Sequence, residues 1–255
     1  MKLRSHLHFA RIRVQNVVRR SQDYHKHVFI MCGARGGSTL LTRLISTSPN
    51  ASLSNTLGNL EGERLPGICI HKQDWPRTRK IMKRYWDPSK IVHVEKSPQN
   101  LFYGPAIQSH FHPAYFICLT RNPYAHAEGL LRRGMDDAGE RVVKMFEAHR
   151  RNRELRNTLY ISYRELTEST EDVCEKIIGF LPELEWLNPR LMHMYGGSER
   201  RIVNMDPQKV QALSDEDRET LDRTFARHAD LFGGFGYSVP SDRTRPARAV
   251  GVERG

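Results

Sequence analysis

The sequence predicts an α/β fold, a parallel sheet flanked by helices within a single P-loop-like nucleotide-binding domain, and three observations carry that expectation. Short apolar runs alternate with stretches of helical periodicity along most of the chain. The first of those runs passes directly into a glycine-rich turn and then into an apolar-periodic helix, the order of a phosphate-binding unit. At 255 residues the chain is long enough to bury roughly 70–75% of the surface its unfolded form exposes, which suits one sizeable core.

In residues 3–18, Leu3, Leu7, Ala10, Val14 and Val17 recur at steps of four and three, the stripe of an amphipathic helix whose other face is basic. This arm, residues 1–26, suits docking on the body of the protein, peripheral contact with an acidic membrane, or an Arg-rich targeting segment. The run HVFIMC (27–32) reads as a buried strand, followed by a helix over about 38–47. IVHVE (91–95) is a second strand, entering a polar loop. YFICLT (115–120) precedes a helix over about 124–133, and TLYISY (158–163) precedes one over about 170–181. A further helix starts near Ser214, an N-cap with acids in the turn behind it. Beyond Tyr237 the chain is rich in Pro, Gly and Arg without period, so residues 238–255 read as a mobile basic tail and 27–237 as the folded domain.

Lys and Arg number 40 against 29 Asp and Glu, a net charge of +11 and a pI near 9.7, which favours an anionic partner: nucleic acid, an acidic membrane or a phosphorylated ligand. With 38% hydrophobic residues, wholesale disorder is excluded. No apolar run approaches a membrane span, and no apolar block with a small-residue cleavage site stands at the N-terminus, so a soluble, non-secreted protein is expected. Cys32, Cys69, Cys118 and Cys174 lie far apart, and Cys32 and Cys118 finish apolar runs; free thiols and a reducing, cytoplasmic compartment follow. The HxH pairs His25/His27 and His110/His112 lack a further ligand at a metal-binding offset, and no metal site is expected.

The most informative segment is Gly33-Ala34-Arg35-Gly36-Gly37-Ser38-Thr39, between the first strand and a helix whose apolar side includes Leu40, Leu41, Leu44 and Ile45. Glycines allow a tight turn and close approach to an anion, the freed N–H groups and helix dipole point at it, and the Ser38 and Thr39 hydroxyls add donors. A nucleoside-triphosphate loop reads GxxxxGK[ST], but Gly37 stands where that lysine belongs and the loop's one cation is Arg35.

GARGGSTLLTRL resembles the 5′-phosphosulfate loop of sulfotransferases that use 3′-phosphoadenosine-5′-phosphosulfate (PAPS), usually [GP]xRSGTTLL, with Gly36 in place of the Ser and Ser38 in place of a Thr. Glu95-Lys96-Ser97-Pro98-Gln99-Asn100 is similar to that family's EKSPxN segment, Leu119-Thr120-Arg121-Asn122-Pro123 to its [LV]xRNP segment, TLYISYREL to its YEDL stretch, and GGFGY to its closing FGY. The resemblance spans about residues 27–237 and implies a cofactor site of Arg35, Gly36, Gly37, Ser38, Thr39 and Leu40 in the loop and Arg121 on the 3′-phosphate; Tyr163, at its strand end, suits either the adenine or the core. It departs at Gly129, where the family carries a Ser for the 3′-phosphate; backbone N–H, Arg132, Arg200 or Arg201 would substitute.

Sulfuryl transfer resembles phosphoryl transfer in being an in-line displacement helped by positioning and charge. For such a transfer Arg35 is expected to hold the transferring group's oxygens, and Lys96, leaving a strand end, to meet the negative charge growing on the bridging oxygen. A hydroxyl acceptor needs a base: Glu61 is the first candidate, Glu63 the second, with Glu95 and His71 after them. Residues from about 62 to 90 hold Trp75, Tyr85 and Trp86 among many cations, suiting either a small-molecule, glycan or lipid-like acceptor or an ordinary aromatic cluster under a loop. Two other classes compete: a P-loop kinase or nucleotide hydrolase, and a non-catalytic polyanion or nucleic-acid binder. The first lacks the loop lysine; the second lacks any zinc-finger, basic-zipper or aromatic RNA-binding signature.

Overall fold

Val28, Phe29, Ile30 and Met31 offer neither face a polar side chain, so this run is satisfied only as a strand covered on both sides. The computed structural model describes residues 25–53, 73–191 and 202–240, and places this run in the middle of a sheet. The strands are β1 (Lys26–Met31), β2 (Ala51–Leu53), β3 (Val92–Lys96), β4 (Ala114–Thr120) and β5 (Thr158–Ser162). They form one five-stranded sheet in the order β2-β3-β1-β4-β5, with every pairing parallel, as the strand and helix alternation predicts. The expectations for residues 1–24, for Glu61, Glu63, Cys69, His71, Arg200 and Arg201, and for the tail from 241 onward lie outside the described residues.

The helices are α1 (Ser38–Ile45), α2 (Trp75–Tyr85), α3 (Gly104–His110), α4 (Pro123–Leu131), α5 (Ala138–Arg151), α6 (Tyr163–Glu168), α7 (Thr170–Phe180), α8 (Asp206–Gln211), α9 (Asp215–Ala226) and α10 (Ala229–Gly233). On one face of the sheet, Leu41, Leu44 and Ile45 of α1 and Val173 and Ile177 of α7 pack with Val28, Ile30, Val94 and Ile117. On the other, Met82 of α2 and Val142 and Phe146 of α5 join Phe29, Met31 and Phe116, with Phe225 and Phe232 closing the layer. Cys32, Cys118 and Cys174 are buried free thiols. Among the described residues no helix is long and apolar enough to cross a membrane.

The differences from the sequence reading have local causes. Tyr163 does not end β5; it begins α6, because Ser162 and Glu165 form a capping box in which the Ser162 hydroxyl accepts from the Glu165 N–H at 3.1 Å and the Glu165 carboxylate accepts from the Ser162 N–H at 2.8 Å. The helix expected to reach 47 stops at Ile45, where the Ser46 and Thr47 hydroxyls donate to the carbonyls of Arg43 and Leu44 at 2.6 and 2.7 Å. The stretch after β3 is not a plain polar loop: Ser97 caps a 3₁₀ helix, Pro98–Phe102, and α3 follows. Trp75 and Trp86, read as faces for an acceptor, are 7% and 2% exposed, and the Trp86 indole N–H donates to the Val94 carbonyl at 3.1 Å, so both belong to the core.

Four histidines are folded into this body. Burial first of all pulls His27 and His126 down to about 4 and His93 and His149 down to about 3, so all four are neutral in the native state near pH 7. In the unfolded chain each takes up a proton near pH 6.5, so their contribution is present above that value and is lost as pH falls through it. Glu95, driven up to about 7 by burial, works the other way, losing stability as pH rises from its ordinary range to 7. Four groups outweigh one: the denaturant midpoint is expected to fall steadily from pH 7 to pH 5, and a flat or rising profile on acidification contradicts this assignment.

Candidate active site

The chain leaves β1 toward one edge of the sheet, returns, and leaves β4 toward the other, so the strand order reverses between β1 and β4. At such a point a crevice opens outside the carboxyl ends of the strands. The glycine loop fills it. Its only internal backbone bond before the helix runs from the Gly36 N–H to the Gly33 carbonyl at 3.1 Å, and the N–H groups of Arg35, Gly37 and Thr39 have no protein acceptor among the described residues. Gly37 is the N-cap of α1 and supplies no side-chain cap, which leaves the first-turn donors open.

Two side chains hold the loop from outside. The His126 ring Nε2 donates to the Ala34 carbonyl at 2.6 Å, the neutral ring carrying its proton there, and Arg121 Nη1 donates to the Arg35 carbonyl at 2.9 Å. A carbonyl and the following N–H point in opposite directions across a trans peptide, so anchoring the Ala34 carbonyl on His126 turns the Arg35 N–H away from that side. Arg35 itself sits at φ 69 and Gly37 at φ 101. A Cβ at Gly37 would come 2.6 Å from Cδ2 of Tyr163, so glycine is required there both by conformation and by the ring beneath it.

Arg121 is the most connected cation of the site. Its Nε donates to Asp206 Oδ1 at 2.6 Å, its guanidinium lies 4.0 Å from the centroid of Tyr163, and its Nη2 is buried with no partner among the described residues. Burial raises Asp206 while the Arg121 charge pulls it back. Around this core stand Arg35, Arg132, Arg133 and Lys209; desolvation lowers the Arg35 pKa, and the Arg133, Arg132 and Arg121 charges lower it further. Lys209 is ion-paired with Glu128, which also lies 3.6 Å from Arg132.

Lys96 closes β3, with its neighbour on β1 being Ile30, two residues before Cys32. Its charge and that of Arg121 both act on the Cys32 thiol, which burial nevertheless pushes up to about 12, leaving it no nucleophile. Glu95 points to the opposite face from Lys96, 1% exposed and bonded to the Asn100 amide, so this fallback base is sealed in the core. The remaining loop positions divide: Ser38 is buried with its hydroxyl and N–H toward the Cys32 sulfur, Thr39 is exposed, and Leu40 is half-buried. Tyr163, assigned to the adenine, is 6% exposed beneath Gly37 and Arg121. His126, Glu128, Asp206 and Lys209 were not legible as site residues. Asp206 lies 85 residues from Arg121 in the chain, and no local spacing marks that pairing.

No protein-family model matches the sequence, and no curated protein matches it. Solved structures do. The sulfotransferase domain of the Synechococcus PCC 7002 olefin synthase is similar at 17% identity and a TM-score of 0.54, over 87% of this chain and 99% of that one. The sulfotransferase domain from the curacin biosynthetic pathway is similar at 15% identity and a TM-score of 0.50, over 85% and 99%. Sulfotransferase STF9 from Mycobacterium avium is similar at 12% identity and a TM-score of 0.53, over 93% and 82%. The chain has the sulfotransferase fold.

Removing Arg121 strands a buried carboxylate. Arg121→Ala is expected to lower unfolding free energy by about 3–5 kcal/mol, with much of the loss recovered in Arg121→Ala/Asp206→Asn. Denaturant titration of both variants measures this, and a cost below about 1 kcal/mol for the single change contradicts the buried pairing.

Proposed function

We propose that this chain is a PAPS-dependent sulfotransferase that moves a sulfuryl group to a hydroxyl of a small-molecule, glycan or lipid-like acceptor. The observation that carries this reading is the loop itself: open N–H donors at Arg35, Gly37 and Thr39, an arginine as its one cation, and Lys96 and Arg121 at the ends of the two strands beside it. The sulfotransferase fold supports it. A kinase or nucleotide hydrolase would want a lysine where Gly37 stands and a metal-binding acid at a strand end; the acid of β3, Glu95, faces the core.

The orphaned Nη2 of Arg121 suits an anionic substrate, since a buried guanidinium N–H without an acceptor costs about 1–3 kcal/mol and an oxygen placed there relieves it. PAPS as co-substrate supplies an activated sulfuryl group. In this reading the loop N–H groups and Arg35 hold the oxygens flanking the reacting bond, and Arg121 holds the 3′-phosphate. Lys96 stabilises the bridging oxygen as the sulfur–oxygen bond breaks and the acceptor oxygen bonds to sulfur. One such preorganised donor is worth roughly 100- to 1000-fold in rate. The acceptor's proton passes to Glu61, with Glu63 the second choice. The cations rather than a metal carry the charge. The N-terminal basic stripe suits docking on the body of the protein, with peripheral membrane contact as the alternative, and the compartment is the cytoplasm.

The experiment is thermal denaturation with nucleotides. 3′-Phosphoadenosine-5′-phosphate should raise the melting temperature without Mg²⁺, and ATP far less. Equal shifts, or a strict Mg²⁺ requirement, overturn the reading in favour of a kinase. With PAPS saturating, Lys96→Ala should lower kcat about 100- to 1000-fold, and Glu61→Gln about 100- to 10,000-fold, with nucleotide affinity retained in both. Turnover near wild type in Glu61→Gln and a large loss in Glu63→Gln would move the base to Glu63.

A further inference from the structure

Position 129 is where a hydroxyl for the 3′-phosphate would be expected and glycine is found. A Cβ built on Gly129 would lie 3.4 Å from Lys209 Nζ and 3.1 Å from Cβ of Arg35. A side chain at 129 would therefore stand against the ammonium of Lys209, which lies where a hydroxyl on that side chain would reach. Lys209 comes from α8, which packs on α4, and its side chain is only 14% exposed. Its partner is Glu128, at 11%, which also lies within reach of Arg132. Beside them the Nη2 of Arg121 is buried and unpaired. Five cations, Arg35, Arg121, Arg132, Arg133 and Lys209, gather here against two carboxylates, Glu128 and Asp206.

We infer that Lys209 replaces the missing hydroxyl at position 129 as the residue that recognises the nucleotide's 3′-phosphate, and that Glu128 is the counter-ion it gives up when that phosphate arrives. This rests on the PAPS reading above. A phosphate monoester carries about −1.5 to −2 at pH 7 and so outcompetes a single carboxylate for the ammonium. Glu128 is not left as an uncompensated buried charge, because Arg132 is already beside it. The phosphate then lies between Lys209 Nζ and Arg121 Nη2, the one a mobile point charge and the other a fixed planar donor.

Calorimetric titration of the full chain with 3′-phosphoadenosine-5′-phosphate and with 5′-AMP, without Mg²⁺, isolates the 3′-phosphate. Wild type should prefer the bisphosphate strongly. Lys209→Met should weaken the bisphosphate about 10- to 100-fold and 5′-AMP less than about threefold, while Lys209→Arg keeps most of the preference. Glu128→Gln should tighten the bisphosphate severalfold while lowering the melting temperature; a merely structural ion pair would move both the same way. Should Lys209→Met fold poorly, Glu128→Gln/Lys209→Met removes both charges together and should show the same lost preference. If Lys209→Met keeps the wild-type ratio of the two affinities, or if Glu128→Gln weakens the bisphosphate, the role of Lys209 is overturned and the nucleotide reading stands. If wild type itself shows no preference for the bisphosphate, both fall.

Discussion

The buried guanidinium of Arg121 joins four parts of the chain that are distant in sequence. It follows β4, donates to the carbonyl of Arg35 in the glycine loop, covers Tyr163 at the start of α6, and is neutralised by Asp206 at the start of α8. Taking a charge this deep is costly, and only the combination of an ion pair, a carbonyl acceptor and an aromatic face makes it tolerable. The geometry of the loop follows from this arrangement. Arg35 is held in a left-handed conformation by the bond its carbonyl accepts, and Gly37 is held against the tyrosine that the same guanidinium covers.

Charge is distributed around this anchor with a purpose that composition alone does not reveal. The formal +11 is a sum over the whole sequence, whereas Arg35, Arg132, Arg133 and Lys209 are brought to one place, where Glu128 is the acid paired with Lys209 and Arg132 among the described residues. The neutral histidine at 126 adds a donor without adding charge, because burial keeps it unprotonated. Anions are favoured at the loop for two separate reasons: open backbone N–H groups, which need no side chain, and an excess of cations that repel one another until an anion arrives.

What was legible in the sequence was whatever has a short-range signature. β1, β3, β4 and β5 announced themselves as apolar runs bounded by turn residues, and the loop between β1 and α1 by glycines in series. β2 has three residues, too few for any periodicity, and α5, although apolar at Ala138, Val142, Met145 and Phe146, follows another helix rather than a strand and so fell outside the alternating pattern. Tyr163 was read as a strand end because its neighbours are β-formers; the Ser162 cap, a single residue, decided otherwise. The site divided in the same way. Arg35 and the glycine loop carry a local signature. Asp206 and Lys209 meet their partners only once α8 is packed beside α4, and His126 only once α4 lies against the loop.

The proposed nucleotide, phosphorylated at both its 3′ and 5′ positions, requires the loop and Arg121 to act as one anion-binding unit. A crystal structure with 3′-phosphoadenosine-5′-phosphate bound tests it most directly. The 5′-phosphate is expected within hydrogen-bond distance of the Arg35, Gly37 and Thr39 N–H groups, and the 3′-phosphate on Arg121 Nη2. A nucleotide bound elsewhere on the chain, or one whose 3′-phosphate points into solvent with Arg121 Nη2 still unpaired, would contradict it.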